Sequence, residues 1–486
     1  MFDARAYRYT IYFFLTTLVC VYVFWIVKAC DGLIPVWSDE FFYYTNARNF
    51  TENTTLRAAF TYTGKGSVLF QADGHGFAYS LLHGSIGKLI GSHPLNIPLT
   101  NIAFVLMSLL LIAKQKALQS SQKAAIAVVL LAYLTVPVFS FTFMQESLHL
   151  LVSVGCTLLL LRIYEKRMTR DILFFLFLIW CAAFFRNLWL FWSIGLIPLA
   201  RSRKDLFLYL LLFIVCATVS FLNAKLLWDS FPSYFSSVTK LIKDGMILEA
   251  GRSLYGHFIL NIQSYFVGGF SKPYPYYLTK LIIFSSVVTM GVLYLMRKEK
   301  IYFAAALIGF VNFSLLLITF DAWDWREIRS MSPLFFMSAI IVVYKKHLSI
   351  TIAYLVFVIS TSVYSFDIAK NFIAMRKQQA IVFRNTAPSR ILFQQQLHTL
   401  LDTKSHPLVL LGYKPQDYTL DLLFLPIQTP SGKPVRYAIN YFDEQLKVTE
   451  YDYVLSRTDL PLYAKSLRQV MIMNNFTLYE PTGKGM

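Results

Sequence analysis

The sequence predicts an all-α polytopic membrane protein that carries a small α/β domain at its C-terminus. Three observations support this fold class. The 486 residues are 56% hydrophobic and only 15% charged, whereas a soluble protein has about 25% charged residues. Apolar segments of nearly membrane-spanning length recur along the first 366 residues, and basic residues cluster on alternate loops between them. These features exclude an ordinary soluble enzyme and a disordered chain.

Eleven segments approach the length of about 20 apolar residues that a helix needs to cross a bilayer. Three of them are short, so the count of about 11 carries a margin of one or two. The first segment lacks a small-residue cleavage site, which favours a retained helix over a cleavable signal peptide. The segments are 10–29, 96–113, 124–141, 145–162, 171–185, 187–200, 206–227, 281–296, 301–320, 332–344 and 347–366.

The formal net charge of +18 is distributed unevenly over the loops. If the N-terminus is cytoplasmic, the loops on the cytoplasmic side hold 17 basic residues and five acidic ones. Such an excess is what the positive-inside rule requires, so the basic clusters are interpreted as topology signals rather than as a nucleic-acid site. The predicted N-terminus is therefore cytoplasmic and the C-terminal region external.

Three regions then lie outside the membrane: loops 30–94 and 228–280, and the tail from residue 367. The tail changes to an ordinary charged composition. Its alternating apolar stretches predict strands at 407–413, 451–456 and 475–480, and its periodicity predicts a helix at 388–402. Two domains are expected: a transmembrane catalytic domain, 1–366, and a small external α/β domain, 367–486.

Two adjacent carboxylates, Asp39 and Glu40, follow the first apolar segment within an aromatic-rich stretch. A helix that begins at Ser38 explains part of this pattern, because serine is a good N-cap and acids in the first turn favour the helix dipole. A carboxylate at the membrane surface can also act as a general base on an incoming hydroxyl group. The residues alone leave both interpretations open.

The pattern Asp39-Glu40-x-x-Tyr43-x-x-x-Ala47-Arg48 resembles the signature of the GT-C superfamily. These multi-pass glycosyltransferases take a sugar from a polyprenyl-phosphate carrier, and they include protein O-mannosyltransferases and the aminoarabinose transferase of lipid A. The resemblance implies that Asp39 is the catalytic base, with Glu40 as its catalytic neighbour.

A second segment, Asp73-Gly-His75-Gly-Phe-Ala-Tyr79, is similar to the family's acid-Lys-Pro-Pro-Leu-x-Tyr motif, which precedes a helix lying along the membrane. Gly74 replaces the lysine, so no lysine contact to the donor phosphate can be carried over. His75 is either a substitute for that contact or an ordinary loop histidine. The segment around Asp324–Pro333 is similar to the family's Arg-Tyr-x-x-Pro motif. The motifs cover some thirty residues, and the architecture covers the whole chain.

A lipid-linked phosphosugar presents an anionic phosphate, which calls for cationic side chains on the outer side. Arg186, between two short apolar segments, and Arg326 and Arg329 are the predicted donor-binding arginines, together with Asp73 and His75. The alternative for Arg326 and Arg329 is pairing with acids of their own turn. Lysines and arginines of the second loop are interpreted mainly as solvated or headgroup-facing surface; they are Lys240, Lys243, Arg252, Lys272 and Lys280.

The residues predicted to line the cavity are Tyr43, Tyr44, Glu146 and His149. Glu146 and His149 lie three residues apart and so share a helix face, where they either line the cavity or cap the helix. Asp39, Asp73 and His75 can be arranged around a divalent ion. No ligand spacing demands one, so no metal and no cofactor are predicted.

The resemblance implies an inverting membrane glycosyltransferase that acts on the periplasmic side of a bacterial inner membrane. The implied partners are an undecaprenyl- or other polyprenyl-phosphate-linked sugar donor, the lipid bilayer, a separate donor-synthesising enzyme and a flippase. The acceptor is a surface glycan or lipid such as O-antigen or lipopolysaccharide, since serotype-converting glucosyltransferases are similar in size and layout. Nucleic acid is not an expected partner.

Two other classes of protein fit the composition. A transporter or flippase for lipid-linked oligosaccharides is expected to carry ionisable groups near the membrane midplane and two related halves. A glycan polymerase or ligase is expected to carry arginine-rich external loops. The acidic pair directly after the first apolar segment favours the transferase over both.

Overall fold

In this computed structural model the chain is mostly helical, with a small sheet near the C-terminus. The described residues are 16, 20, 24, 34–35, 38–61, 69–70, 77–91, 93–227, 234–266, 274–319, 328–385, 387–411, 423, 425–439, 450–456, 467–473 and 476–482. The helices are α1 Ser38–Asn53, α2 Ala78–Ile90, α3 Asn96–Ala113, α4 Ser120–Ala132, α5 Thr135–Phe139, α6 Glu146–Lys166, α7 Thr169–Ala183, a 3₁₀ helix at Asn187–Leu199, α8 Arg203–Leu227, α9 Tyr234–Lys243, α10 Ile247–Phe266, α11 Tyr274–Arg297, α12 Lys300–Thr319, α13 Ile328–Tyr344, α14 Leu348–Asn385 and α15 Ala387–Asp402.

Six helices among the described residues, α3, α6, α8, α11, α12 and α14, are long and apolar enough to cross a membrane. Three shorter apolar helices accompany them: α4, the 3₁₀ helix and α13. This pattern is compatible with a multi-pass membrane protein. It does not confirm the predicted count of about 11, because the predicted segment 10–29 lies almost wholly outside the described residues.

The predicted span 124–141 is divided between α4 and α5. Pro137 accounts for the division, because proline has no N–H group to bond the carbonyl of Tyr133 and its ring would clash with that carbonyl in a continuous helix. Proline is tolerated in the first turn of a helix, which is where α5 places it. A span predicted from apolar composition alone therefore becomes two shorter helices.

Helix α6 lies at the centre of the bundle, where it packs against α3, α7 and α13. Most of its residues are buried, including polar ones such as Ser153 and Thr157. Helix α13 is also buried along nearly its whole length. The first turns of these two central helices hold Glu146 and Arg329, which places both side chains at the same end of the bundle.

Helix α1 begins at Ser38, as the sequence predicts, and lies between two hydrophobic cores. Phe41 and Phe42 are fully buried in the core of the C-terminal sheet, whereas Tyr43 and Ala47 are buried in the core of the helix bundle. A helix that is buried on two sides is held firmly, because a shift to relieve one contact disturbs the other. The acidic first turn of α1 is thereby fixed against the bundle.

Helix α2 packs closely on α1. A Cβ atom on Gly84 would lie 2.7 Å from the Cβ of Phe50 and 2.8 Å from the carbonyl oxygen of Ala47. The single hydroxyl proton of Thr51 is shared between the carbonyl oxygens of Ala47 and Gly84, which lie 3.0 and 3.1 Å from the hydroxyl oxygen. The absence of a side chain at Gly84 lets the backbone of α2 contact the Phe50 side chain of α1.

The sheet has six strands in the order β1-β3-β2-β4-β6-β5. Strands β1, β3, β2 and β4 are parallel to one another, and β6 is antiparallel to both β4 and β5. The predicted strands correspond to β2, β4 and β6, and the predicted helix 388–402 corresponds to α15. The strands are β1 Phe60–Thr61, β2 Leu408–Leu411, β3 Arg436–Ile439, β4 Tyr453–Ser456, β5 Leu467–Met473 and β6 Phe476–Pro481.

The segment between α1 and α2 contributes to this sheet through β1. The Phe60 ring stacks on the Tyr437 ring with centroids 4.8 Å apart, and the Tyr437 N–H donates to the Ala59 carbonyl at 2.7 Å. The predicted domain boundary at residue 366 falls inside α14, which continues without interruption to Asn385. The sheet of the C-terminal region therefore shares one core with α1 and β1.

Candidate active site

The two acids at the start of α1 have different surroundings. The Asp39 side chain is 29% exposed, and its Oδ2 accepts a hydrogen bond of 2.7 Å from Nη2 of Arg329. The Glu40 side chain is fully buried, pairs with Arg376, and accepts a 3.1 Å hydrogen bond from the Phe143 N–H. Consecutive residues of a helix point about 100° apart, which separates the two carboxylates. Of this pair, Asp39 is the acid that a reactant can reach.

Asp39 begins a row of four charges of alternating sign. Arg329 lies between Asp39 and Glu146, with its Nε 3.6 Å from Oε1 of Glu146. The same Glu146 oxygen is 3.3 Å from Nη2 of Arg186, which precedes the 3₁₀ helix. The side chains of Arg329, Glu146 and Arg186 are only 10%, 6% and 15% exposed. Two cations are thus held side by side, near the membrane-spanning bundle, by one buried carboxylate.

Several buried polar atoms around this row have no hydrogen-bond partner among the described residues. They include Oε2 of Glu146, Nη1 of Arg186, Nε2 of His149 and Oε1 of Gln145. Buried polar atoms in folded proteins are almost always hydrogen-bonded. Because these unsatisfied atoms sit beside the charged row, they indicate a place where a polar ligand or water completes the bonding.

The tautomer of His149 follows from its hydrogen bond. The indole Nε1–H of Trp189 donates to Nδ1 of His149 at 3.0 Å. An indole nitrogen can only donate, so Nδ1 is the acceptor and the ring proton lies on Nε2. The buried Nε2–H, which has no partner in the described part of the chain, is a donor that can serve an oxygen of a ligand.

Tyr43 borders the row on α1. Its hydroxyl oxygen accepts a 2.7 Å hydrogen bond from the Gln145 amide, and its ring lies 4.4 Å from the Tyr79 ring. Burial raises the pKa of Tyr43 well above its usual value, and the negative charge of Asp39 adds to this effect. The hydroxyl therefore keeps its proton. Tyr44 packs its ring 5.4 Å from the Phe143 ring instead.

The turn that precedes α6 is held from three directions, which positions Glu146. The Asn101 amide donates to the carbonyls of Thr142 and Met144 at 2.9 and 3.0 Å. The Tyr79 hydroxyl donates to the Phe143 carbonyl at 2.6 Å. Because the Phe143 N–H is bonded to Glu40, the N–H and the carbonyl of Phe143 are both held by side chains of α1 and α2.

The predicted site residues divide into three groups. Those that lie together in the row or beside it are Asp39, Tyr43, Glu146, His149, Arg186 and Arg329. Glu40 and Tyr44 are close in sequence but turn toward Arg376 and Phe143. Asp73, His75 and Arg326 lie outside the described residues, as do the acids predicted as alternative partners of Arg329.

Other cations of the sequence have surface or packing positions. Arg48 pairs with Glu52 one turn later, at 2.6 Å. Lys240, Lys243 and Arg252 of segment 228–280 are exposed, as predicted for a solvated surface. Lys280 is buried, with its Nζ 5.4 Å from the centroid of the Tyr265 ring. Lys272 lies outside the described residues.

Arg376 is a residue near the site that the sequence alone does not identify. It lies on α14, 336 positions from Glu40, and its side chain is 1% exposed. Nothing in its neighbourhood distinguishes it, because lysine and asparagine also occur along this part of α14. Only the folded chain identifies which basic residue turns inward.

Within the described ranges, no group of three or more His, Cys, Asp and Glu side chains is placed to hold a metal ion. The carboxylates of Asp39 and Glu146 are instead bridged by the guanidinium of Arg329. Asp73 and His75, the other two residues that can be arranged around a divalent ion, are not among the described residues. The prediction that no cofactor is required remains a prediction.

No family model and no curated protein matches the chain. Two crystal structures of the Archaeoglobus fulgidus oligosaccharyltransferase are similar to it. The structure in complex with zinc and sulfate has 12% identity and a TM-score of 0.48, over 90% of this chain and 68% of that chain. The apo structure has 11% identity and a TM-score of 0.47, over 91% and 69%. Likeness at this level establishes neither a common fold nor a common activity.

Proposed function

We propose that the chain is an integral membrane glycosyltransferase of the GT-C type, which transfers a sugar from a polyprenyl-phosphate-linked donor to a glycan or lipid acceptor. One observation carries this proposal. An accessible carboxylate, Asp39, lies at one end of an apolar helix bundle, beside two enclosed arginines, Arg329 and Arg186. Displacement of a phosphate by a hydroxyl group needs a proton acceptor and a cationic cradle for the leaving group within one site.

In the proposed reaction, the carboxylate of Asp39 accepts the proton of the acceptor hydroxyl. The hydroxyl oxygen then forms a bond to the anomeric carbon as the bond from that carbon to the phosphate oxygen breaks. The phosphate leaves on its polyprenyl chain with the bonding electron pair. A single displacement of this kind inverts the configuration at the anomeric carbon. The phosphate gains one negative charge, which Arg329 and Arg186 are positioned to stabilise.

The contacts of Arg329 link the two halves of this reaction. Its Nη2 is bonded to Asp39 and its Nε faces Glu146. As a phosphate gains charge it competes with Asp39 for this guanidinium. A carboxylate that loses its cationic partner becomes a better proton acceptor. Glu146 holds Arg329 and Arg186 side by side meanwhile, so that neither must be reorganised during the reaction.

The finer details of the proposal follow from the sequence resemblance. Asp39 is the proposed base. The resemblance makes Glu40 its catalytic neighbour, but because Glu40 is buried and accepts a hydrogen bond from the Phe143 N–H, we propose that it positions α1 instead. Asp73, His75 and Arg326 are proposed to complete the donor site. The donor carrier is proposed to be undecaprenyl phosphate and the acceptor an O-antigen or lipopolysaccharide, at the periplasmic face of a bacterial inner membrane.

The proposal is tested with the purified full chain and a panel of polyprenyl-phosphate sugars, by measuring sugar transfer to lipopolysaccharide acceptors. Asp39→Asn keeps the shape of the side chain and is expected to lower turnover about 10²- to 10⁴-fold, as loss of a general base does. Glu52→Gln is the matched control, since Glu52 is an acid of the same helix that pairs with Arg48 on its surface.

The control is expected to retain the turnover of the unchanged chain. Unchanged turnover in Asp39→Asn would show that Asp39 is not the general base. Lack of transfer from every donor and to every acceptor by the unchanged, folded chain would overturn the proposed function itself.

A further inference from the structure

A cavity with a basic wall and an apolar wall lies at the end of the bundle opposite to the candidate active site. Helix α13 carries Arg329 in its first turn and ends at Tyr344. Its 17 residues span about 25 Å at 1.5 Å per residue. The turn after Tyr344, the start of α14 and the last turns of α11 border this open cavity of about 500 Å³. The sequence predicts that this end of the bundle is cytoplasmic. No part of the proposed sugar transfer uses it.

The polar wall of the cavity is cationic. Arg297, Lys346 and His347 line it, and no acidic residue does. Arg297 and Lys346 are exposed, and neither has an acid within ion-pair distance among the described residues. The nearest acid in sequence, Glu299, is paired with Lys345 at 2.7 Å. Two positive charges are therefore left available on one wall.

His347 contributes a fixed polar group rather than a charge. Its Nε2 lies 2.6 Å from the Tyr302 hydroxyl. Burial, together with the positive charge of Arg297, lowers the pKa of His347 below its usual value. The imidazole is therefore neutral near pH 7. Ser349, which also lines the cavity, adds a hydroxyl group that can donate to an anion.

The other wall is apolar and continues along α11. Val288, Val292 and Met296 lie four residues apart, which places them on one stripe of the helix. Their exposed fractions are 45%, 47% and 71%. The stripe extends about 12 Å along a helix that is apolar and long enough to cross the membrane. It leads from the bilayer to the two cations.

We propose that this cavity binds one anionic phospholipid, with its phosphate on Arg297 and Lys346 and an acyl chain along the stripe of Val288, Val292 and Met296. The proposal rests on the presence of a cationic wall and an apolar wall in the same cavity. A soluble anion gains nothing from an apolar stripe, and a neutral lipid gains nothing from two cations. A basic recess between membrane helices at their cytoplasmic end is where anionic headgroups bind.

The experiment uses the purified full chain in neutral detergent. Bound lipid is measured by native mass spectrometry during titration with phosphatidylglycerol, and separately with phosphatidylcholine. The double variant R297Q/K346Q is expected to bind phosphatidylglycerol about 25-fold more weakly, because each basic side chain near an anionic surface contributes about fivefold. The matched control is R203Q/K204Q, which removes two exposed basic residues from the start of α8.

Two further measurements distinguish a bound phospholipid from a bound soluble phosphate. Glycerol 3-phosphate is expected not to displace the lipid at millimolar concentration. Met296→Ser is expected to weaken phosphatidylglycerol binding, because it interrupts the apolar stripe.

Equal losses in the two double variants would mean a general charge effect and would overturn the proposal. Displacement by glycerol 3-phosphate, or equal binding of phosphatidylcholine, would overturn it as well. Thermal unfolding of each variant verifies that it is folded, so that a loss of binding is not a loss of structure.

Discussion

The guanidinium of Arg376 on α14 pairs with the carboxylate of Glu40 on α1, and both side chains are almost completely shielded from solvent. Arg376 also donates a 2.9 Å hydrogen bond to the Ile34 carbonyl, and its guanidinium carbon lies 5.9 Å from the centre of the Phe143 ring. This pair joins α1 to the helix that leads into the C-terminal region. It thereby fixes the residue next to Asp39.

Removal of Arg376 is expected to destabilise the fold strongly. Arg376→Met leaves the Glu40 carboxylate buried without its guanidinium, and loss of one partner of a buried ion pair costs about 3–5 kcal/mol. The midpoint of thermal unfolding in a single detergent measures the effect. Arg48→Met is the control, because the pair of Arg48 with Glu52 is half-exposed and i,i+4 pairs contribute only about 0.3–0.5 kcal/mol. Equal shifts in the two variants would contradict the role given to Arg376.

Replacement of Arg329 is expected to affect turnover even when the charge is kept. Arg329→Lys retains one positive charge but loses the planar fork that reaches Asp39 and Glu146 together. We expect the kcat of sugar transfer to fall about 10²- to 10³-fold, as it does when a preorganised donor to a developing oxyanion is removed. Steady-state kinetics with the donor identified in the transfer assay measures kcat and KM separately.

Arg252→Lys provides the comparison for this measurement. Arg252 is an exposed cation on α10, so the same exchange there is expected to leave kcat unchanged. If Arg329→Lys raised KM alone, Arg329 would bind the donor in its ground state and would not stabilise the leaving phosphate.

Local patterns were sufficient to predict many individual elements. The N-terminal end of α1 was predictable because Ser38, Asp39 and Glu40 form a helix start that depends only on neighbouring residues. Strands β2, β4 and β6 were predictable from short apolar runs. Strand β1 was not, because two residues carry no periodicity, and Phe60 becomes a strand residue only by pairing beside β3.

The site was predictable in part for the same reason. Glu146 and Arg186 were predictable as site residues because an ionisable residue at the edge of an apolar helix is unusual. Their joint contact, and the place of Arg329 between two acids, depends on how α6, α13 and the 3₁₀ helix pack together. The burial of Glu40 depends in addition on its pairing with Arg376, whose inward direction is a property of the long helix α14 and not of its local sequence.

The close approach of α1 and α2 is expected to be sensitive to one methyl group. In Gly84→Ala the new Cβ would lie 2.7 Å from Phe50 and 2.8 Å from the Ala47 carbonyl oxygen. Overpacking of this kind costs about 1–3 kcal/mol, so the thermal midpoint is expected to fall. Gly256→Ala on α10 is the matched control, because its Cβ would meet nothing within 4 Å.

For Gly256→Ala the sign of the effect is expected to reverse. Alanine is favoured over glycine inside a helix by about 0.5–1 kcal/mol, so this variant is expected to be slightly more stable. Should Gly84→Ala also stabilise the protein, the two helices must be able to move apart, and the close packing of α1 would not be required.

Stability is expected to fall in mild acid because of His83 on α2. Its side chain is 5% exposed, its ring lies 4.3 Å from the Tyr79 ring, and its Nδ1 has no partner among the described residues. Burial lowers the pKa of His83 to about 3, whereas a histidine in an unfolded chain has a pKa of about 6.5. Between these values the unfolded chain binds one more proton than the folded chain, so the free energy of unfolding decreases as the pH falls from about 6.5 toward 3.

His83→Gln removes this titration, so the variant is expected to lose less stability than the unchanged chain between pH 7.5 and pH 5. Thermal midpoints at the two pH values measure the difference. Most carboxylates titrate below this interval, which leaves histidine as the main contributor within it. His406→Gln, at an exposed position, is expected to keep the pH response of the unchanged chain. If His83→Gln kept that response too, the buried imidazole would have to be protonated in the folded protein, and the tight packing of α2 on α1 would have to admit a charge.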